Sequence, residues 1–102
     1  MKKVLLVLGL GLAIMSCSKE QIDTTAPVIT LKGGSPTAER KGNIYRDEGA
    51  IAIDNVDGDL SSYITVTNLV NTSILGTYNV IYRVTDNAGN VSEATRVVHV
   101  FN

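Results

Sequence analysis

The densest run of chemically capable side chains is Asp54-Asn55-Val56-Asp57-Gly58-Asp59, with three carboxylates in six residues. Carboxylate oxygens in a flexible loop suit calcium better than a transition metal, which favours nitrogen or sulfur donors. An EF-hand is excluded by register. Gly58 at the loop's sixth position would put Ile53 at the first, where a carboxylate is required. Any site would instead combine Asp54, Asp57 and Asp59 with a neighbouring loop, through Asp86 or Asp47. The competing reading is that these aspartates bond local amides in Asx turns, with Asp57-Gly58 making the turn. Mutual repulsion of the carboxylates favours either a cation or a splayed, solvated loop.

Enzymatic chemistry fails on inventory. His99 is the single histidine and falls in a predicted strand, and no serine has the Gly-x-Ser-x-Gly setting of a nucleophile elbow. Glu39, Glu48 and Glu93 have no spacing that favours a carboxylate pair. No small-molecule substrate is evident. Tyrosines offer a different chemistry, because exposed ones stack on sugars and anchor protein interfaces. Tyr63 and Tyr45 lie near predicted loops and are candidates for that role, whereas Tyr78 and Tyr82 belong to a core strand.

The chain has 102 residues and opens with Met1-Lys2-Lys3, followed by an apolar run from Val4 to Met15 and then Ser16-Cys17. A basic start, an apolar stretch and a small residue form an export signal. The run is shorter than the roughly 20 apolar residues of a membrane span. Cys17 is the only cysteine, so no intramolecular disulfide is possible. Residues 1–16 hold two of the nine basic residues and none of the ten acidic ones, so residues 17–102 are net acidic. That argues against a nucleic-acid partner, which calls for a basic patch.

Residues 18–26 are polar and aperiodic and read as a tether. The organising element follows much later, in Gly76-Thr-Tyr-Asn-Val-Ile-Tyr-Arg-Val-Thr85. Tyr78, Val80, Tyr82 and Val84 share one face at period two, while Ile81 implies partial cover on the other. Gly76-x-Tyr78-x-Val80 is also the spacing of a tyrosine corner, with valine in place of a cysteine. Further strands are predicted over Pro27–Leu31, Asn43–Arg46, Ala50–Ile53, Tyr63–Thr67 and Ala94–Phe101, with a possible short one between Lys32 and Lys41. The alternation predicts inward pairs Ile51 and Ile53, Ile64 and Val66, and Val98 and Val100. About seven short strands without helical periodicity make an all-β sandwich over residues 27–102.

Resemblances sharpen this reading. Ile14-Met15-Ser16-Cys17 resembles a bacterial lipobox, which implies cleavage after residue 16, lipid on Cys17 and a membrane anchor. Ser18-Lys19-Glu20 is similar to the surface-export signals of Bacteroidetes lipoproteins, and Asp23-Thr24-Thr25 resembles their O-glycosylation motif, which implies modification at Thr24. From Asp23 to Val100 the chain resembles the bacterial Ig-like domains grouped as the DUF5011, or Cry22Aa-type, family. The matching blocks are Ala26 to Leu31, Tyr45-x-Asp47-x-Gly49-Ala50, Ala52-x-Asp54-x-x-Asp57-Gly58-Asp59-Leu60-Ser61, Ile64-x-Val66, and Gly76-Thr77-Tyr78 with Val84-Thr85-Asp86-x-x-Gly89-Asn90. Glu48 stands where that family commonly has proline. The resemblance implies an immunoglobulin-like β-sandwich that serves without catalysis as a spacer or adhesive module. Together these features predict a lipoprotein of the outer membrane, facing the cell surface or the periplasm. Its partner would be a protein or a glycan, and calcium is the only cofactor in question.

Overall fold

The longest stretch of clean alternation becomes the central hairpin. In the computed structural model, which describes residues 22–102, strand β6 (Gly76–Thr85) pairs antiparallel with β7 (Val91–Phe101) along its whole length. β5 (Thr65–Asn68) lies antiparallel on the other side of β6, and β2 (Thr37–Arg40) runs parallel to β7, giving the order β2-β7-β6-β5. The second sheet has the order β1-β3-β4, from β1 (Val28–Leu31), β3 (Ala50–Asp54) and the two-residue β4 (Gly58–Asp59). A single 3-10 turn, Ser61–Tyr63, joins β4 to β5. Two facing sheets of alternating strands make the predicted Ig-like sandwich. The proposed signal segment, the lipobox with Cys17 and the first part of the tether, through residue 21, lie outside the described residues.

The core is built where predicted on the larger sheet. Val80, Tyr82 and Val84 of β6 are buried, as are Val98 and Val100 of β7. Ile29 and Ile64 bridge this group to a second cluster of Ala52, Leu60 and Val84. Tyr78 closes the corner, its hydroxyl donating to the Ile74 carbonyl at 2.6 Å. That bond ties the start of β6 to the chain just before it, as the Gly-x-Tyr spacing predicts.

The smaller sheet overturns part of the prediction. Ala52 and Asp54 face inward on β3, while Ile51 and Ile53 are 38% and 47% exposed. Side chains alternate strictly, so a strand that turns Asp54 inward must turn its isoleucines out. Val66 is also exposed, although Ile64, just outside β5, does pack on the core. Asn43–Arg46 forms no strand, and β7 begins at Val91 rather than Ala94. The stretch read as one acidic loop contains a hairpin. Asn55, Val56 and Asp57 form its loop, and Gly58, at φ 79°, takes the left-handed conformation that such three-residue turns require.

Candidate metal centre

Three strand ends and the segment before β1 meet at one pole of the sandwich. The register Val28↔Ile53 brings the residues preceding β1 past the end of β3. Thr85↔Val91 places the turn after β6 at the same end. Asp23, Asp54, Asp57 and Asp86 converge there, each with a carboxylate oxygen within 4.8 Å of the others. Two oxygens bound to one calcium at about 2.4 Å lie at most about 4.8 Å apart, so the spacing fits a shared ion. An all-carboxylate set is hard-cation chemistry.

Local hydrogen bonds engage all four of these groups, Asp23 Oδ1 accepting from the Thr25 amide at 3.1 Å. Asp54 Oδ2 accepts from the amides of Val56 at 3.0 Å and Asp57 at 2.9 Å, as an Asx turn should. Asp57 Oδ2 accepts from the Asn87 amide at 2.8 Å, which ties the β3–β4 hairpin to the turn after β6. Asp86 accepts from the Asn90 amide at 2.8 Å and from the Asn90 side chain at 2.9 Å. The remaining oxygens are less well served. Among the described residues, Asp54 Oδ1 and Asp23 Oδ2 are buried side-chain oxygens without a hydrogen-bond partner. Asp54 is 3% exposed and Asp86 5%. Buried carboxylate oxygens without donors are costly, and a cation in their midst would satisfy them.

The ionisation of the cluster reflects this crowding. The Thr25 amide lowers the Asp23 pKa, but burial and the carboxyls of Asp86 and Asp54 outweigh it, and the net shift is upward. Asp86 shifts the other way. Burial raises its pKa, but the Asn90 donors and its carboxyl neighbours lower it further.

Of the carboxylates singled out in the sequence, the structure brings Asp54, Asp57 and Asp86 together, and Asp59 lies outside the group. Its Oδ1 accepts from the Ser61 amide at 2.9 Å, and the Ser61 hydroxyl and amide hold its pKa down. Asp23 takes its place. Asp23 is hard to find from sequence because it lies 31 residues before Asp54 in a stretch that reads as tether. The pairing of β1 with β3 is the only signal that leads to it. Asp47, the other loop carboxylate considered, is engaged elsewhere. Arg96 lies on the inward face of β7, its Nε 3.0 Å from Asp47 Oδ1. The Arg96 guanidinium also donates to the carbonyls of Gly34, Lys32 and Gly49 at 2.5, 2.7 and 2.9 Å. Asp47 further accepts from Tyr45 at 2.5 Å, from the Tyr82 hydroxyl, and from the Gly49 amide at 2.9 Å.

The two candidate binding tyrosines part company here. Tyr45 is half-buried against the core with its hydroxyl on Asp47, which commits it to structure. Tyr63 is 69% exposed and lines a shallow cleft of about 390 Å³ with Asp57, Asp59, Leu60, Thr85 and Asn87. Thr24 is exposed beside Asp23. His99 is exposed on β7, its Nδ1 2.9 Å from Thr77 Oγ1.

The pattern of two sheets, tyrosine corner and turn-rich pole has a counterpart among known families. The description "bacterial surface protein, Ig-like domain" fits residues 29–100. The chain belongs to this family. As a bacterial surface Ig-like domain it is similar to the lipoprotein BT2262 from Bacteroides thetaiotaomicron. The identity is 23% and the TM-score 0.63, over 72% of this chain and 37% of that one. It is also similar to a Clostridium perfringens ZmpB structure containing CBM51-2 in complex with GlcNAc and INT domains, at 28% identity and TM-score 0.58. That match covers 72% of this chain and 16% of the other. A further ZmpB structure, the M60 catalytic domain with CBM51-1 and CBM51-2, matches at 26% identity and TM-score 0.58, over 74% and 8% of the two chains. The Ig-like domain thus spans well under half of each of these proteins. No curated protein matches the sequence.

Proposed function

We propose that this Ig-like domain is a non-catalytic binding or spacer module of the bacterial cell envelope, stiffened at one pole by calcium. The observation that carries the calcium reading is the convergence of Asp23, Asp54, Asp57 and Asp86 around two buried oxygens that have no donor. Membership in a bacterial surface family and likeness to a lipoprotein support the envelope location. Lipid on Cys17 would supply the anchor to the outer membrane, and Thr24 is open to O-linked modification.

A partner-binding face is the second reading, favoured by the exposed ring of Tyr63. It stands over a cleft edged by the carboxylates of Asp57 and Asp59 and by Asn87, a combination that suits a glycan through stacking and hydrogen bonds. The occurrence of GlcNAc-bound CBM51-2 in a similar structure supports glycan as the first ligand class to screen. A glycan array and a pull-down, each with Tyr63→Ala as control, test it. Binding that survives the substitution removes this face from consideration.

The calcium reading is tested by thermal unfolding in excess calcium and again in EDTA. A ligand at about 100 times its dissociation constant adds about 2.7 kcal/mol. In a domain of this size that raises the midpoint by roughly 10 °C or more. Coincident melts would reduce these aspartates to turn-formers.

A further inference from the structure

Of the four carboxylates at the pole, three are carried by the folded body. Asp54 ends β3, Asp57 sits in the β3–β4 hairpin loop, and Asp86 follows β6. Asp23 alone belongs to the segment that enters the domain ahead of β1. That segment has no strand partner before Val28. Its neutral attachments to the body come from the start of β7. The Asn90 side chain donates to the carbonyls of Asp23 at 2.9 Å and Thr25 at 3.4 Å, and the Ser92 hydroxyl donates to the Pro27 carbonyl.

Apolar contact holds only the end next to β1, where Pro27 is buried and Ala26 half-buried. Ile22 is 83% exposed and Val56, on the facing hairpin loop, 63%. Between segment and loop lies a cleft of about 170 Å³, lined by Ile22, Asp23, Thr24, Thr25, Asn55 and Val56. Docking therefore depends on the balance at the carboxylates. Bringing Asp23 against buried Asp54 and Asp86 adds a negative charge to a negative site and strips its Oδ2 of hydrogen-bond donors. Asp57 and Asp86 sit in turns closed at both ends by strands, whereas Asp23 can leave with its segment and disturb neither strand nor hairpin. A divalent cation reverses the sign of that balance, because the same four oxygens then become ligands.

We infer that the cation acts as a clamp: bound by Asp23 together with Asp54, Asp57 and Asp86, it docks residues 22–26 on the pole, and its removal releases them. This rests on the calcium reading above and adds to it a moving part. The clamp takes about five residues, 22–26, out of the free chain ahead of β1, which at up to about 3.6 Å per residue shortens its reach by up to roughly 18 Å.

The test uses the full chain in mild detergent, with calcium chloride as the probe. Calorimetry reads cation binding, and hydrogen exchange reads the amides of residues 23–26. Calcium is expected to slow exchange there by roughly 5–150-fold, the usual span for two linked equilibria. Asp23→Asn is expected to weaken calcium binding by about tenfold or more and to abolish the added protection, while the melt of the body in EDTA stays unchanged. Calcium binding with no change in exchange at these amides overturns the clamp and leaves the calcium site standing. So does equal protection in calcium and EDTA, which would mean that Asn90 and Ser92 suffice. Wild-type affinity in Asp23→Asn has the same consequence. No calcium binding at all removes both the site and the clamp. As a folding control, Ser92→Ala removes the neutral bond to Pro27 and touches none of the four carboxylates, and its protection is expected to remain calcium-dependent.

Discussion

The two ends of β3 carry the two buried charged clusters of this domain, and they are solved in opposite ways. At the Gly49 end, Arg96 meets Asp47, and both terminal nitrogens of the guanidinium find carbonyl partners. At the Asp54 end four acids meet, and among the described residues no ion pair involves any of them. Buried charge is tolerated when it is paired and hydrogen-bonded. The first cluster meets that condition from within the chain, whereas two oxygens of the second have no donor among the described residues. On the proposed reading, the difference separates a feature that holds the fold from one that takes a ligand.

Removing Arg96 should break the comparison most severely. Arg96→Ala strands Asp47 without its partner and three backbone carbonyls without their donor. A loss of about 3–5 kcal/mol is expected from such a broken pair, read from the midpoint of chemical denaturation. Calcium should leave that loss unchanged, because the two clusters sit at opposite ends of the strand.

The corresponding substitution at the other pole should have the opposite sign. In EDTA, Asp54→Asn removes one of the repelling charges left at the pole while an amide oxygen still caps Val56 and Asp57. The metal-free midpoint is expected to rise by a few degrees, and the calcium-dependent rise of about 2.7 kcal/mol to vanish. A variant that melts lower than wild type in EDTA would show that Asp54 is a structural cap alone.

Acidity distinguishes the clusters again. Burial raises the Asp47 pKa, but hydrogen bonds from Tyr45, Tyr82 and Gly49 and the Arg96 charge lower it further, so its folded value lies below the ordinary 3.8. The stability it contributes is complete above that value and is lost as pH falls below about 3.8 toward the depressed folded value. Burial and the Asp47 carboxylate push Tyr45 and Tyr82 upward, so their contribution is lost as pH rises above about 10. Acid and alkaline unfolding followed by circular dichroism should therefore bracket a plateau, and Asp47→Asn should flatten the acid edge.

The smallest effects belong to the periphery. Tyr78→Phe deletes the corner bond to Ile74 and should cost about 0.5–1.5 kcal/mol. Tyr63→Ala should change stability by no more than about 0.5 kcal/mol, since its ring is mostly in solvent. A larger loss at Tyr63 would mean that the ring packs and does not wait for a partner.

How much of this was legible in advance depends on the strand. β6 and β7 alternate valine and tyrosine with polar residues, so their inward faces can be read directly, and Val98 and Val100 are buried as expected. The same period assigns Arg96 to the inward face. The buried ion pair was therefore available to sequence reasoning, and its charge concealed it. β3 misled because bulk suggested that Ile51 and Ile53 face inward, whereas Asp54 and the small Ala52 occupy that face. Hydrophobicity predicts burial poorly where a strand must deliver a polar group to a pole. Asp57 and Asp86 were legible through their turn residues. Asp23 was not, because only the antiparallel pairing of β1 with β3 brings it near.

That pairing also fixes where the chain enters and leaves. Pro27 lies at the aspartate pole, and β7 begins there at Val91 and ends at Phe101 beside Arg40, at the far end of the sandwich. A pull applied between entry and exit runs along the strands, so the ladder bonds of β1 and β7 are loaded in shear and must yield together, not one after another. At about 3.3 Å per residue, the 11 residues of β7 make the domain a strut roughly 35 Å long. The first part of the molecule to feel the load would be the segment carrying Asp23.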